Sequence, residues 1–390
     1  MNLNKKLTLI LVLISFQFTF AAPVQVRILT TKVISSFIFS PLSGNYFLYG
    51  DNKLITESDA SGIFQMSIDG DSILLKTFER TIGKFSTLKM SAQGSDAAFK
   101  IKSVIPASKV RTYDDHLSVS LSTDKKQFLL INKADLEDYI AGVVESEAGT
   151  KSAVEYYKLQ ALLCRTYLLA HINRHQNEGF QVCDDVHCQA YLSRTMDSEI
   201  KEGVLNTKGL VVVDADLNLI TAAFHSNCGG QTVNSQDVWA MSKSYLKTVM
   251  DTFCLHQTHA TWKRSIPLED WKAYLQLKHK YPVDDSLKFI GATSFTQPNG
   301  RAIYFLDKDM KIPLKIIRAD FQLKSTYFSV EQKGDSVNFV GRGYGHGVGL
   351  CQEGAMRMAK LNYSYKDILH YYYKDVNLVD LSALNYFQKE

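Results

Sequence analysis

The stretch that most restricts the fold runs Gly341-Arg342-Gly343-Tyr344-Gly345-His346-Gly347-Val348-Gly349-Leu350-Cys351-Gln352-Glu353-Gly354-Ala355. Its first nine residues hold five glycines, a density that neither a helix nor an ordinary strand accommodates. Glycine loses the most conformational entropy in regular structure, so it is used where φ must be positive or where another group approaches the backbone closely. One imidazole, His346, sits among the glycines, and Cys351 to Lys360 reads as a helix directly afterwards. Such a turn presents a histidine to a ligand or forms a structural corner. The residues alone leave both open.

Length and composition set the frame for that turn. A chain of 390 residues, 45% hydrophobic and 22% charged, is long enough for two cores. The formal charge of +4 comes without a basic stripe, which argues against nucleic acid as a partner and leaves only a weak attraction to anionic polymers. Lys5-Lys6, the apolar run Leu7 to Phe20, and Thr19-Phe20-Ala21 with small residues at the cleavage positions read as a secretory signal peptide over residues 1–21. The apolar run is shorter than a bilayer span requires. The expectation is therefore an exported chain, periplasmic or secreted. Its six cysteines, Cys164, Cys183, Cys188, Cys228, Cys254 and Cys351, then face an oxidising compartment in which disulfides and metal sites both occur.

The pattern of the chain predicts an α+β fold. From Ala22 to about His116 the texture is that of short strands, such as Phe37-Ile38-Phe39 and Tyr46-Phe47-Leu48-Tyr49, broken by Pro41 and Gly44. We read residues 22–116 as a β-rich N-terminal region and residues 117–383 as a second unit, with buried helices packed on antiparallel β structure. That unit opens with a hairpin, Leu117 to Leu121 and Gln127 to Ile131 around Thr123-Asp124-Lys125-Lys126. Leu136, Ile140 and Val143/Val144 then recur at helical spacing until Gly149. Ser152-x-x-Glu155 reads as a capping box for a helix extending to about His175. The middle of that helix, Ala161 to Ala170, is apolar nearly all round, so it is buried and Arg165 within it needs a partner. Strands are expected at Leu210 to Val213, Ile220 to Phe224, Ala302 to Leu306, Ile316-Ile317, Tyr327 to Val330 and Val337 to Val340. Helices are expected at Leu268 to Leu277 and Tyr365 to Tyr373.

Three further groups carry chemistry. Glu147 ends the helix in Gly142-Val143-Val144-Glu145-Ser146-Glu147; a carboxyl shielded by apolar neighbours favours its acid form, which suits a general acid. On residue type alone, Glu145 and Glu147 read equally as a solvated helix end. His175-x7-Cys183-x4-Cys188-Gln189-Ala190-Tyr191 offers three zinc ligands, with His171 and His187 as rivals; a Cys183–Cys188 disulfide is the alternative. Phe224-His225-Ser226-Asn227-Cys228-Gly229-Gly230-Gln231-Thr232 offers hydroxyls and small residues suited to a sugar-contacting wall, or else a plain turn.

Together these motifs resemble the SpoIID/amidase-enhancer family of bacterial cell-wall proteins, over about Leu117 to Val376. Tyr139-Ile140-x-Gly142-Val143-Val144-x-Ser146-Glu147, followed by Lys158-x-Gln160-Ala161-x-x-x-Arg165-Thr166-Tyr167, looks like the family signature, whose acid is the Glu after Ser; Glu147 matches it and Glu145 does not. The glycine run looks like the closing GHGVGLSQ-type signature. The resemblance implies a peptidoglycan lytic transglycosylase. Glu147 would cleave between N-acetylmuramic acid and N-acetylglucosamine, and Arg165, Gln189, Ser226, Thr232, Tyr344 and His346 would contact the glycan. In sporulation members the substrate is glycan stripped of its stem peptides. The resemblance also implies a structural zinc on His175, Cys183 and Cys188 and a Cys228–Cys254 disulfide; the alternative functions are non-catalytic enhancement of a cell-wall amidase and a metal-stabilised glycan-binding module. Two departures touch the substrate details: Ala148-Gly149-Thr150-Lys151 replaces a Met-Pro segment with a Trp nearby, and Cys351 stands where Ser is common.

Overall fold

A computed structural model describes residues 23–239, 241–298, 300–306 and 312–387; the leader read over residues 1–21 lies outside them. An eleven-stranded sheet forms the N-terminal half. It contains β1 (Val24–Arg27), β2 (Ser36–Gly50), β3 (Lys53–Ser58), β4 (Phe64–Asp69), β5 (Ser72–Lys76), β6 (Thr81–Phe85), β7 (Leu88–Ile105), β8 (Arg111–Asp114), β9 (His116–Leu121), β10 (Phe128–Ala134) and β11 (Val182–Cys183). The order is β11-β1-β10-β9-β7-β2-β4-β5-β6, with β3 paired on β2 and β8 on β7. Strict alternation of buried and less buried residues in β9 and β10 follows from a sheet with one face on the core.

The β9–β10 hairpin, expected to open the second unit, lies in the middle of this sheet. Val24 pairs with Ala134 across β1 and β10, and Leu88 with Val119 across β7 and β9. A lone two-stranded hairpin is marginal in water, whereas flanking strands satisfy its outer backbone groups.

Helices pack against the sheet as expected. In α1 (Leu136–Ala148), the Asp135 side chain accepts the Glu137 N–H, and Gly149 closes the helix with φ 69°. Helix α2 (Val154–Ala170) is buried over most of its surface. The capping box is a correction. Ala153 is the N-cap and makes no side-chain cap bond, while Glu155 pairs with Lys158 at 2.6 Å and accepts the Tyr365 N–H at 2.8 Å. A cation and a distant N–H outcompete the cap. The helix also stops at Ala170, short of His175.

Beyond α3 (Ser198–Leu205), β12 (Leu210–Val213), β13 (Phe224–His225) and α4 (Ser235–Val238), a second core forms around Trp271. It comprises β14 (Thr261–Pro267), α5 (Leu268–His279), α6 (Ser286–Thr293), β15 (Tyr304–Phe305), β16 (Ile312–Pro313), α7 (Leu314–Asp320), β17 (Phe328–Lys333) and β18 (Ser336–Arg342). Ile316-Ile317, expected as a strand, lies in α7. Pro313 sits at its N-cap and Leu314 and Ile317 face the core at i, i+3. Residues 220–223, also expected as strand, are irregular. The chain ends through β19 (Leu350–Cys351), α8 (Gln352–Lys360), α9 (Tyr365–Tyr372), β20 (Asn377–Asp380) and α10 (Leu381–Phe387). Among the described residues no helix is long and apolar enough to cross a membrane.

The glycine run is a turn from β18 into β19, and two of its glycines are demanded by geometry. Gly345 has φ 113°, and an added Cβ would lie 2.7 Å from His225 Cβ. Gly347 has φ 84°, with the Arg301 guanidinium pressed against it. A side chain at Gly345 would press on His225 and one at Gly347 on the Arg301 guanidinium, and the two glycines flank His346.

Candidate functional site

Three expected residues, Glu147, Gln189 and His346, share one cleft of about 280 Å³, whose wall also includes Tyr167, Cys188, Phe224 and Trp239. Glu147 reaches it from the C-terminal turn of α1. Its Oε1 accepts the Ala190 N–H at 2.8 Å, and the Gln352 side chain donates to its carbonyl at 3.3 Å. Burial raises the Glu147 pKa above the ordinary carboxyl value, the Ala190 N–H opposing. Among the described residues of the cleft wall it is the one carboxyl.

Gln189 is buried, and its amide has no closer partner in the protein than a loose contact with the Cys164 thiol. An unpaired buried amide is costly unless something else pairs with it. Its place on the cleft wall makes a ligand the natural partner. His346 Nδ1 accepts the Val348 N–H at 3.0 Å, which leaves the ring proton on Nε2. Burial lowers its pKa to about 4, with the Phe224 carbonyl acting in the opposite direction and Arg318 and Arg301 reinforcing the decrease. The ring is neutral at pH 7.

The remaining expected glycan contacts lie elsewhere. Arg165 is fully buried: its Nε donates to Glu137 at 3.2 Å and its Nη1 to the Leu210 carbonyl at 3.1 Å. Its charge holds α2 to α1 and no sugar reaches it. Thr232 is buried, with Oγ1 accepting the Val249 N–H at 2.8 Å. Ser226 and Tyr344 do not line the cleft; Tyr344 packs near His259 on an exposed edge. Tyr167 stood in the helical signature without a role of its own, and Trp239 escaped the sequence reading because a lone aromatic just past a short helix carries no spacing signal.

A metal-ligand cluster borders the cleft. Donor atoms of His175, Cys183, His187 and Cys188 all lie within 4.8 Å of one another. Cys188 Sγ is 3.5 Å from His175 Nε2, and His187 Nδ1 is 3.8 Å from each sulfur. Tetrahedral zinc with bonds of about 2.0–2.3 Å needs donors roughly 3.5 Å apart, so the set fits that ion. His175 Nδ1 meets the Glu178 carboxylate at 2.5 Å, an outer contact of the kind that fixes a ligating imidazole. The hydrogen bond with Cys183 draws the Cys188 thiol down to about 6, and Arg174 helps. His187, a rival in the sequence, completes the set. His171 does not join: its Nδ1 meets the Tyr167 carbonyl at 2.7 Å. Both alternatives in sulfur bonding are corrected, since all six cysteines are free thiols. Cys183 and Cys188 have two imidazoles for partners, and Cys228 and Cys254 have another sulfur and a carboxylate.

The sheet positions this loop. β11 pairs in parallel with β1, and the buried Asp184 carboxylate accepts the Leu29 N–H at 2.6 Å while pairing with Arg111 at 2.9 Å. Across the cleft, β13 pairs in parallel with β19, joining the 224–232 motif to the glycine turn.

Comparison with known proteins agrees with these signatures. Residues 124–213 match the SpoIID family, described as stage II sporulation protein. An uncharacterized protein of Brachyspira hyodysenteriae is 28% identical over 262 residues, 66% of this chain and 70% of the relative. Stage II sporulation protein D of Bacillus subtilis is 26% identical over 269 residues, covering 65% and 77%. The amidase enhancer of the same organism is 28% identical over 289 residues, 61% of this chain but 40% of that longer relative. With motif order and relatives in agreement, the chain is similar to the SpoIID family, matching its model over residues 124–213 and resembling stage II sporulation protein D and an amidase enhancer at 26–28% identity.

Proposed function

We propose that the chain is a peptidoglycan lytic transglycosylase with Glu147 as its acid and base. The observation that carries this reading is a single half-buried carboxyl, held by the Ala190 N–H, on the wall of a cleft with no second carboxyl among its described residues. Glycosidases that use water require two carboxylates. One suffices when the nucleophile belongs to the substrate. Glu147 gives its proton to the glycosidic oxygen as the bond from C1 of N-acetylmuramic acid breaks. The resulting carboxylate takes the proton of the muramic C6 hydroxyl as that oxygen bonds to C1. The products are a 1,6-anhydro end and a free 4-hydroxyl on N-acetylglucosamine, and Glu147 is again protonated. No water is consumed.

The other residues bind and orient. Gln189 offers its amide to an acetamido or hydroxyl group, and Tyr167 and Trp239 offer apolar faces to sugar rings. A zinc ion on His175, Cys183, His187 and Cys188 would supply structural cross-linking, with no proton chemistry of its own. Gln189 and the Ala190 N–H directly follow Cys188, the last of these ligands. Such a substrate lies outside the cytoplasm, in keeping with the leader read over residues 1–21, and export is part of the proposal.

Mass spectrometry of soluble products from intact and amidase-stripped peptidoglycan tests this. Anhydromuramyl ends made by the wild type and absent with Glu147→Gln are expected; no products from either substrate would sink the proposal. The relative named amidase enhancer favours a second reading, in which the chain stimulates an amidase. Faster amidase turnover without anhydro products would mark it.

A further inference from the structure

A second convergence of donors lies behind the glycine turn, outside the cleft wall. Cys228, Asp251, Cys254 and Cys351 are all fully buried, and their four donor atoms lie within 4.8 Å of one another. Cys228 Sγ is 3.4 Å from Cys254 Sγ and 3.3 Å from Asp251 Oδ2. The residues come from three segments: the 224–232 motif, the Asp251-x-x-Cys254 turn, and the junction of β19 with α8.

We propose that Cys228, Asp251, Cys254 and Cys351 form a structural zinc site distinct from the one beside the cleft. Four donors at these separations match the edges of a tetrahedron around zinc, and three thiolates select a soft, borderline ion over magnesium or calcium. A disulfide between Cys228 and Cys254 would leave Cys351 and Asp251 without a function in a fully buried position. Asp251 in particular is a buried carboxyl with no ion-pair partner among the described residues; the Tyr372 hydroxyl at 2.9 Å, the Phe253 N–H at 2.9 Å and the Cys228 and Cys351 thiols reach it. Arg301, a half-buried cation nearby, directs its Nη1 to the carbonyls of Cys228 and Gln231. A buried unpaired carboxylate is strongly disfavoured unless a cation joins it. Outer contacts of the kind that orient metal ligands are in place: the Cys228 N–H points at Cys351 Sγ at 3.2 Å, and Tyr372 holds the Asp251 carboxylate.

Binding would release the thiol protons to solvent and tie together both strands of the β13–β19 ladder. Cys351 directly precedes Gln352, whose side chain donates to the Glu147 carbonyl. The ion would therefore brace the cleft from behind. This inference does not depend on the transglycosylase reading.

The test is metal content of the full chain purified with zinc under reducing conditions. A Cys183→Ser/Cys188→Ser variant, which lacks the first site, is expected to retain about one zinc per chain, and adding Cys351→Ser is expected to remove it. Cobalt replacing zinc in the first variant should give thiolate-to-cobalt charge transfer and intense tetrahedral d–d bands, a readout that holds even if Cys351→Ser misfolds. No zinc and no cobalt spectrum in the folded double variant, or peptide mapping that finds Cys228 joined to Cys254, would overturn the site.

Discussion

The backbone N–H of Ala190 donates to Glu147 Oε1 at 2.8 Å, so the acid is held by the loop that also carries Cys188 and Gln189. A carboxyl on a helix end and a cysteine-histidine loop 40 residues later thus act on one atom. Disturbing either should change the same chemistry.

Replacing Glu147 with Gln should lower turnover by about 10²–10⁴-fold or more, the usual contribution of a positioned acid, and should also stabilise the fold. The folded pKa is raised, so below the unfolded value both states hold the proton and burial penalises neither. Above the folded pKa the native state carries a buried anion that the unfolded chain leaves in water. The Glu147→Gln melting temperature should therefore exceed the wild type at pH 7, with the gap closing as pH falls through the carboxyl range. Thermal melts across that range check the sign.

Glu178→Gln should weaken zinc binding by the first cluster about 10–100-fold, because the carboxylate against His175 Nδ1 orients the ring. Competition with a chromophoric chelator gives the ratio. The cleft wall should be more protease-sensitive in that variant, since Cys188 and Gln189 belong to it.

Arg165→Met should cost about 3–5 kcal/mol, the penalty for leaving a partner charge buried. Glu137 is the stranded group. Adding Glu137→Leu should recover much of the loss, as chemical denaturation of the three variants would read. A role for Arg165 in holding glycan predicts no such recovery.

Gly347→Ala should destabilise by about 1–3 kcal/mol, from the positive φ and from the Arg301 guanidinium occupying the place of a Cβ. Its effect on turnover should exceed that on stability, because His346 follows the turn. Denaturation and initial rates measured on one preparation separate the two.

Local signals in the sequence were legible where the structure depends on local rules. The β9–β10 hairpin, the Gly149 stop of α1 and the buried middle of α2 follow from alternation, φ and periodicity. Glu155 did not, because Lys158 and the Tyr365 N–H, one from 210 residues away, claim its carboxylate. The β-branched pair Ile316-Ile317 suggests a strand, but Pro313 before it starts a helix. In the cleft, Glu147, Gln189 and His346 were found through motif positions, while Arg165 and Thr232 occupy equally distinctive positions for structural reasons. A motif marks what the fold requires and what the chemistry requires in the same letters. Asp251 is visible in the sequence as part of Asp251-x-x-Cys254, but its place among three cysteines appears only in the fold.

The second core has one further consequence. Thr261 in β14 is paired with Arg342 in β18, so the polypeptide departs and returns through neighbouring rungs of one ladder. A segment joined in this way is a graft: it can lengthen, shrink or be exchanged between lineages with little rewiring of what surrounds it. Arg301, lodged under Gly347, is a contact that such an exchange would have to replace.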